Sequence, residues 1–562
     1  MHPGIKNKPD LVLFLLLSIL WIANLFQSAF TQLHYDEAYY WMFAQNLDWG
    51  YFDHPPMVAL LIKLGEFLPG ESGVRFFVTL LQPVYLYLFW LTIKRRDFDA
   101  KDALIYFLVA LAIPLLQING FIATPDAPLM FFTVLFLASF KQFLEKDSWI
   151  WTILTGLCMG LLAYSKYHGA IVVISVIIAN PSILKRGKTY FAAFVALLLL
   201  LPHFYWQYEH DFASFQYHLS DRSKSFKPGY VFEYIGNIWA TLNPFLFPLF
   251  FVVLFTQKIR DRYERTILVL SLFFLAFFGL STLRGHVQPQ WVLPSSLGVL
   301  LCMVLYARRS EGKFRYVRNA SLITILLFVI ARLNLIFNWI AIPAMGFGYE
   351  APMKEIHEVA GDMPVIMKSS YSNAALYSFY TGGKSNSQQE WSHRNSQYGF
   401  WNLDQDWVGK DVILESDAGN AQLNLTNGKK FKYLVKHNYV PTHKIAVSIK
   451  GATDFVVPHD DQRLKLSVEI TNPYPFALDF TPQGGDGLTI ECVIHRKRKL
   501  FYQKDIVANK FTLLPDSAKI ITFDATFELS PGEYNLGFLV RDLPMNSWWA
   551  NRINYKMEIQ AN

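Results

Sequence analysis

Charged residues are scarce in this chain, and the scarcity is uneven. They make up 17% of the 562 residues, whereas about 25% is usual for soluble domains, and 52% of the residues are hydrophobic. The deficit lies in residues 1–342, which consist mainly of long apolar runs, while residues 343–562 have the composition of an ordinary soluble protein. The shift predicts a membrane domain followed by a soluble region.

Several chemical motifs are also absent. The chain has no glycine-rich phosphate loop, no Cys-x-x-Cys pair and no His-Glu-x-x-His sequence. Because nothing indicates a nucleotide-binding domain, an ATP-driven pump is disfavoured. Only three cysteines occur, and Cys158 and Cys302 lie in apolar runs, so Cys492 cannot form an internal disulfide within the soluble region. That region must therefore fold on its own core.

The net charge of +7 does not indicate a nucleic-acid partner. The basic residues stand in short clusters between apolar runs, which is typical of the cytoplasmic loops of membrane proteins. We therefore exclude nucleic acid and predict a multi-pass protein of the cell inner (plasma) membrane.

The apolar runs predict a polytopic α-helical membrane protein with about eleven or more transmembrane helices. The first run follows Lys6 and Lys8 but lacks a small-residue cleavage site, so we interpret it as a helix that spans the bilayer rather than a signal peptide. The runs lie roughly at 11–30, 73–93, 103–119, 127–143, 149–165, 169–184, 189–206, 231–256, 266–283, 290–306 and 319–342.

Charge sets the predicted orientation. With a cytoplasmic N-terminus, all five basic clusters fall inside, as the positive-inside rule requires, and the opposite orientation would place them all outside. The clusters are Lys94–Arg96, Lys141 with Lys146, Lys185–Lys188, Lys258–Arg265 and Arg308–Arg318. The outside segments, rich in Asp, His, Trp, Tyr and Pro, then face the periplasm together with the C-terminal region. A sugar donor used there must be delivered across the membrane, most simply on a lipid.

The C-terminal region contains two patterns. Residues 343–440 mix helix and strand signals, which predicts a small extracytoplasmic α/β unit. In residues 441–562, apolar residues alternate with polar ones between turn sequences, as at Leu466, Val468 and Ile470, and this spacing predicts an extracytoplasmic β-sandwich.

The first outside segment carries two acidic clusters. Asp36 and Glu37 stand among aromatic residues, and Asp53 and His54 follow, directly before two prolines. An adjacent acid pair at a helix end can be merely solvated, but acids held among aromatics at a membrane face are costly unless they are paired or used. An acid here can serve as general base for a hydroxyl acceptor or hold a divalent metal.

Two further residues stand at predicted helix boundaries. Asp126, in a Thr-Pro-Asp-Ala-Pro sequence, is either a helix cap or a functional acid. Lys166, in a Ser-Lys-Tyr-His sequence, either extends to the membrane interface or provides a counter-charge for phosphate. It is the only basic residue between Lys146 and Lys185, and it falls on the outside face, against the positive-inside trend.

The later outside segments add His218, Arg222 and Arg284. His218 and Arg222 are one helical turn apart and could share a face. Arginine grips phosphate with two donors, and a histidine with acidic neighbours can bind metal. A plain solvated loop remains the alternative for residues 207–230.

The order of these motifs resembles that of the C-type glycosyltransferases. An Asp-Glu pair, an acid before Pro-Pro, a Thr-Pro-Asp-Ala-Pro sequence and a Ser-Lys-Tyr sequence follow one another as in the protein O-mannosyltransferase-like group, which includes the bacterial lipid A aminoarabinose transferases. The resemblance covers roughly residues 1–345. It implies a polyprenyl-phosphate sugar donor, a lipid, glycan or protein acceptor, and chemistry on the periplasmic face.

The resemblance also implies residue roles. Asp36 matches an acid that acts near the acceptor, with Glu37 beside it, and Asp126 matches a second acid, so these three are the candidate catalytic residues. The candidate ligands of the donor phosphate are Lys166, Arg222, His54 and Arg284. Asp53 and His218 fall where some relatives bind a divalent metal cation, and they are the candidate metal ligands. One departure is His54, because the aminoarabinose transferases usually have a lysine there, and histidine binds phosphate more weakly and only when protonated.

The sequence therefore predicts transfer of a sugar from a polyprenyl-phosphate donor by a single inverting displacement, with Asp36 as base. Two other function classes stay open. A lipid-linked sugar transporter or flippase would need polar residues near the bilayer midplane, and here they gather in outside segments. A non-catalytic glycan-binding membrane protein would use the β-sandwich as its working part.

Overall fold

The computed structural model describes residues 8–218, 226–257, 261–340, 346–388, 395–417, 419–451, 454–482, 487–496, 499–542 and 548–560. The chain folds into two compact units, Met1–Phe347 and Gly348–Asn562. The division lies five residues after the boundary at 342 that composition predicts.

The first unit is helical over its described residues. Its α-helices are α1 Pro9–Phe30, α2 Tyr35–Gln45, α3 Met57–Gly65, α4 Gly70–Ile93, α5 Ala100–Ala112, α6 Pro114–Ile118, α7 Asp126–Glu145, α8 Trp149–Ser165, α9 Gly169–Ala179, α10 Gly187–Glu209, α11 Ala213–Gln216, α12 Gly229–Thr241, α13 Phe247–Thr256, α14 Arg262–Ser281, α15 Ser296–Ala307 and α16 Glu311–Phe337. Short 3₁₀ helices occupy Pro181–Lys185, Thr282–Arg284 and Pro289–Ser295.

Within the described residues, seven helical stretches are long and apolar enough to cross a membrane. They are α1, α4, α7, α10, Arg262–Arg284, Pro289–Ala307 and α16, while α8, α9 and α13 are apolar but shorter. The predicted count of about eleven spans is therefore not confirmed.

Two predicted runs are interrupted by proline. The run 103–119 breaks between α5 and α6, where Ile113 is extended because it precedes Pro114. The run 231–256 breaks between α12 and α13, where Asn243 adopts a left-handed conformation (φ 84°) directly before Pro244. Hydropathy counts apolar residues across such breaks, so it does not detect them.

Helices α2 and α3 lie in the segment 31–72, which hydropathy treats as a loop. Helix α2 begins with a capping box: the His34 Nδ1 accepts from the Asp36 amide at 3.2 Å, and the Glu37 carboxylate accepts from the His34 amide at 2.8 Å. Histidine is an unusual cap, which explains why the start of α2 is hard to identify from sequence.

The second unit contains a small α/β sheet. Helices α17 Glu350–Ala360 and α18 Tyr371–Thr381 accompany strands β1 Val365–Lys368, β2 Ser385–Gln388, β3 Val412–Glu415, β4 Ala421–Asn424 and β5 Lys430–Lys436. The sheet has the order β2-β1-β3-β5-β4, with β1 parallel to β2 and β3.

Two further sheets follow it. Their strands are β6 Ala446–Ile449, β7 Asp454–Val457, β8 Arg463–Thr471, β9 Leu478–Phe480, β10 Leu488–Arg496, β11 Lys499–Asp505, β12 Phe511–Leu513, β13 Ala518–Thr526, β14 Gly532–Asp542 and β15 Trp548–Ile559. One sheet has the order β12-β9-β10-β14-β15-β7, with β11 beside β10, and the other has the order β13-β8-β6. Val468 of β8 shares a core with Ile490 of β10 and Phe538 of β14, so the two sheets pack face to face.

Candidate active site

A buried ion pair fixes the start of α2. Arg75, in the second turn of α4, donates from Nε to Glu37 Oε1 at 2.7 Å and from Nη2 to Glu37 Oε2 at 2.5 Å, and both side chains are fully buried. The amides of His34 and Ala123 also donate to the Glu37 carboxylate, at 2.8 and 2.7 Å. Glu37 is thus surrounded by donors and ties α2 to the segment before α7.

Arg75 also closes the end of α1. Its Nη1 donates to the carbonyls of Ser28 and Thr31 at 3.2 and 2.6 Å, and its Nη2 donates to that of Gln32 at 2.8 Å. Carbonyls at a helix C-terminus have no partner within the helix, and a cation there is favourable. No motif in the sequence singles out Arg75, although an arginine within the apolar run 73–93 is itself a signal of a paired, buried charge.

Asp36, next to Glu37, is more accessible. Its side chain is 33% exposed, and its Oδ2 lies 3.9 Å from the His34 Nδ1. Burial lowers the pKa of His34, an effect that Glu37 opposes and Arg75 reinforces. Of the two adjacent acids, Asp36 is therefore the one that a substrate can reach.

Asp126 and Lys166 form a second buried ion pair. The Lys166 Nζ donates to both oxygens of Asp126, at 2.7 and 2.8 Å, and the two side chains are only 8% and 5% exposed. Asp126 is the first residue of α7, and Lys166 follows α8. The sequence singles out each residue but not their pairing, because nothing local links positions 40 residues apart.

Tyr167 connects this pair to the later segments. Its hydroxyl lies 3.3 Å from the His203 Nε2 and accepts from the Gln207 Nε2 at 3.0 Å, and its ring packs edge-on against His218. Burial raises the pKa of Tyr167, and the Asp53 carboxylate adds to the increase. The Nε2 of His218 lies 3.0 Å from the backbone oxygen of Asp53.

His54 connects the 53–54 segment to α2. Its Nε2 lies 3.2 Å from the hydroxyl of Tyr40, which is on α2, one helical turn beyond Glu37. These contacts form a closed path. Glu37 on α2 contacts Ala123, which is three residues before Asp126, and Asp126 binds Lys166. Tyr167, next to Lys166, packs against His218, which lies beside Asp53, and His54 contacts α2 again through Tyr40. We call the set Glu37, His54, Asp126, Lys166 and His218 the polar ring.

The remaining two predicted phosphate ligands are Arg222 and Arg284. Arg222 lies outside the described residues. Arg284 is exposed on the short helix Thr282–Arg284, and the contacts of the described chain do not link it to the polar ring. The nearby His286 is paired with Glu233 at 2.9 Å instead.

The predicted metal ligands do not make a complete site. Across the described residues, no group of three His, Cys, Asp or Glu side chains comes together. Asp53 and His218 would supply one carboxylate and one imidazole, and the imidazole Nε2 already faces a backbone oxygen. Two protein ligands would leave most of the coordination sphere of a hard divalent cation to water or to the substrate.

Comparison with known proteins gives matches in sequence. A family model described as dolichyl-phosphate-mannose-protein mannosyltransferase matches residues 53–206, which include His54, Asp126 and Lys166. The lipid A galacturonosyltransferase RgtD of Rhizobium johnstonii is 23% identical over 313 residues, which are 52% of this chain and 65% of that protein.

Comparison with solved structures gives matches in fold. The crystal structure of ArnT from Cupriavidus metallidurans in the apo state matches with a TM-score of 0.52 and 17% identity, over 76% of this chain and 97% of that chain. The structure of the same protein bound to undecaprenyl phosphate also gives 0.52, with 16% identity, over 76% of this chain and 98% of that one. The prediction of a polytopic membrane domain of C-type glycosyltransferase fold with a strand-rich C-terminal region is confirmed.

Proposed function

We propose that this chain, a membrane protein with the C-type glycosyltransferase fold, transfers a sugar from a polyprenyl-phosphate donor to a hydroxyl or phosphate acceptor. The acceptor belongs to a lipid, a glycan or a protein. The observation that carries the proposal is the polar ring, in which a buried cation, two acids and two histidines lie along one path of contacts at one end of the helix bundle. The match of the mannosyltransferase family model to residues 53–206 and the similarity to RgtD support it.

We further propose that the polar ring faces the periplasm, with the N-terminus in the cytoplasm and the protein in the inner membrane. Helix α7 begins with Asp126 in the ring and ends at Glu145, next to Lys146. Helix α4 carries Arg75, the partner of Glu37, in its second turn and ends just before Lys94. The basic clusters therefore lie at the opposite ends of these helices from the ring, which the positive-inside rule assigns to the cytoplasm.

Asp36 is the proposed base. The acceptor oxygen gives its proton to the Asp36 carboxylate and bonds to the anomeric carbon of the sugar, while the bond from that carbon to the phosphate oxygen breaks. The electron pair leaves with polyprenyl phosphate, and a single displacement inverts the anomeric centre. The exposure of Asp36 supports this role, whereas Glu37, enclosed by donors, positions Asp36 rather than reacting.

Lys166 is the proposed ligand of the leaving phosphate. The charge that develops on the leaving oxygen is stabilised by a cation already held in place, so little reorganisation is needed during the reaction. Asp126 keeps the Lys166 ammonium oriented in a site with little water. His54, Arg222 and Arg284 remain predicted contributors to the same phosphate site, and a divalent cation remains a predicted cofactor.

The test follows release of free polyprenyl phosphate. Purified protein in nanodiscs is incubated with lipid-linked sugars extracted from cells, with and without a chelator, and the products are measured by mass spectrometry. We expect release by the wild type and a loss of about 100-fold or more in Asp36→Asn and Lys166→Ala, the size of effect seen when a catalytic base or a charge-stabilising group is removed. Lys185→Ala, an exposed lysine at the other end of the bundle, serves as control.

Each outcome has a distinct meaning. Full activity in Asp36→Asn would show that Asp36 is not the base. Movement of the lipid-linked sugar between leaflets without release would favour a transporter, and glycan binding with no turnover would favour the non-catalytic alternative. Loss of polyprenyl phosphate release in the presence of the chelator would establish that the reaction requires a divalent metal.

A further inference from the structure

The start of α2 is held from outside the helix by Gly346, one of the last two residues of the first unit. The amide of Tyr35, the first residue of α2, donates to the backbone oxygen of Gly346 at 3.0 Å. The first amides of a helix have no partner within it, so they need an acceptor from elsewhere. Gly346 is therefore part of the cap of α2, although it is remote from α2 in sequence.

The residue after Gly346 packs on the cap residue His34. The Phe347 ring lies edge-on to the His34 imidazole, with the ring centroids 5.4 Å apart. The position of this imidazole matters because its Nδ1 accepts from the Asp36 amide. An imidazole nitrogen that accepts a hydrogen bond carries no proton, and burial, which lowers the pKa of His34, favours that state. The segment thus contacts the side chain that fixes the backbone of Asp36.

Gly346 approaches α2 too closely for any side chain. A methyl group at this position would lie 2.6 Å from the His34 Nε2 and 2.6 Å from the Cδ1 of the Tyr35 ring. Gly346 also has a φ of 76°, in the left-handed region that favours glycine. Gly348 has a similar φ of 86°, but nothing lies within 4 Å of a methyl group placed there. The two glycines therefore share a backbone conformation and differ in their contact with α2.

We propose that Gly346 is a positioning residue for the Asp36 carboxylate, and that it acts by fixing the His34 cap and the first turn of α2. The inference rests on the proposed function, in which Asp36 is the base. Gly346 itself does not react, since it offers only a backbone carbonyl and a surface without a side chain. Asp36 lies in the first turn of α2, so a shift of that turn moves its carboxylate.

The effect of such a shift is expected to be local. Glu37 is paired with Arg75, and Lys166 is paired with Asp126, and neither pair includes Gly346. The anchor of α2 on α4 and the proposed ligand of the donor phosphate therefore stay in place when the cap is disturbed. Loss of the Gly346 contact should lower the rate of the chemical step without weakening donor binding, which is the sign of an interaction needed in the transition state.

Steady-state kinetics of the full chain in nanodiscs test the proposal. Release of polyprenyl phosphate is measured against the concentration of lipid-linked sugar for the wild type, Gly346→Ala and Gly348→Ala. We expect Gly346→Ala to lower kcat roughly 100-fold with an unchanged KM for the donor, the effect of misplacing a reacting group by about 1 Å. Gly348→Ala introduces the same left-handed alanine without the contact and should keep the wild-type kcat. Equal losses in the two variants would overturn the proposal, as would a rise in KM alone.

A rescue experiment shows whether the loss arises at α2. The double variant His34→Asn with Tyr35→Ala removes both rings that the new methyl group would meet, and asparagine still offers an oxygen for the helix cap. Adding Gly346→Ala to this double variant should leave its kcat unchanged. A further loss of roughly 100-fold there would overturn the proposal, because the methyl group would then act through a contact other than α2.

Hydrogen exchange gives a readout that does not depend on turnover. We expect Gly346→Ala to speed exchange of the Tyr35 and Asp36 amides, while α7 exchanges as in the wild type and shows that the fold is intact. Unchanged exchange at the start of α2 would overturn this inference alone. A wild-type protein that releases no polyprenyl phosphate from any donor fraction would instead overturn the role of Asp36 as base, and with it the catalytic part of the inference.

Discussion

The two ends of the helical unit treat charge in opposite ways. At the polar ring, Glu37 and Arg75 are fully buried and share two hydrogen bonds, and Asp126 and Lys166 are nearly so. At the other end the ion pairs are more open to solvent: Lys94 and Asp10 are 35% and 39% exposed, and Arg315 and Glu311 are 67% and 59% exposed. Similar pairs of charged residues are therefore buried at one end and exposed to solvent at the other.

The difference follows from the cost of desolvation. Removing two charges from water costs several kcal/mol per ion, and a buried pair recovers this only with good geometry and further hydrogen bonds. Such pairs are weak evidence of stability, and their presence at the ring agrees with the proposal that they position groups for chemistry. Exposed pairs cost and contribute little, and the excess of cations around them is the basis of the proposed orientation in the membrane.

Arg75→Met should produce the largest effect. It leaves the Glu37 carboxylate buried without its cation, and we expect the free energy of unfolding to fall by about 3–5 kcal/mol. Arg315→Met is the matched control: an arginine paired with Glu311 on α16, with both side chains more than half exposed, for which we expect a loss of about 0–1 kcal/mol. Denaturation of both purified variants in mixed detergent micelles measures the two changes, and equal losses would remove the distinction between the two ends.

The sequence predicts the individual residues of the ring better than their arrangement. Glu37, Asp126, Lys166 and His218 are recognisable because charges near membrane segments are costly. The pairing of Asp126 with Lys166 depends on how α7 packs against α8, which hydrophobic periodicity does not specify. The sequence does not predict a role for Arg75, because Arg75 lies inside an apolar run that otherwise predicts an ordinary membrane-spanning helix.

In the C-terminal region, the alternation of apolar and polar residues predicts which side chains of a strand are buried. Leu466, Val468 and Ile470 are buried on β8 while Ser467 between them is exposed, as period two predicts. The order of the strands in the two sheets depends on contacts distant in sequence, such as that of β9 with β10 and β12, and no local pattern specifies it.

A buried pair in the soluble unit extends the comparison to a site outside the membrane. Lys436 on β5 donates to Asp542 on β14 at 2.7 Å, and burial raises the pKa of Asp542 from its ordinary 3.8, which Lys436 only partly opposes. The folded state then binds the proton more tightly than the unfolded state, so the contribution of Asp542 to stability falls as the pH rises from 3.8 through the raised pKa.

Asp542→Asn should remove this pH dependence. Hydrogen exchange of the β14 amides, corrected for intrinsic rates, gives the opening free energy as a function of pH. We expect the wild type to lose protection relative to Asp542→Asn as the pH rises through this window. Asp524→Asn, an exposed acid on β13, should follow the wild type at every pH; a parallel profile for Asp542→Asn would show that the carboxyl is not perturbed by burial.

The smallest effect is expected at the exposed end. Lys94→Met removes the partner of Asp10, but the Trp90 indole still donates to that carboxylate at 2.8 Å, and water reaches both side chains. We expect a loss of less than about 1 kcal/mol that shrinks further as salt is raised from 0.01 to 1 M, since the Debye length falls from about 30 to 3 Å over that range. The change caused by Arg75→Met should be insensitive to the same salt series, because no ions reach a fully buried pair. A strong salt dependence at Arg75, or none at Lys94, would mean that burial does not distinguish the two ends of the bundle.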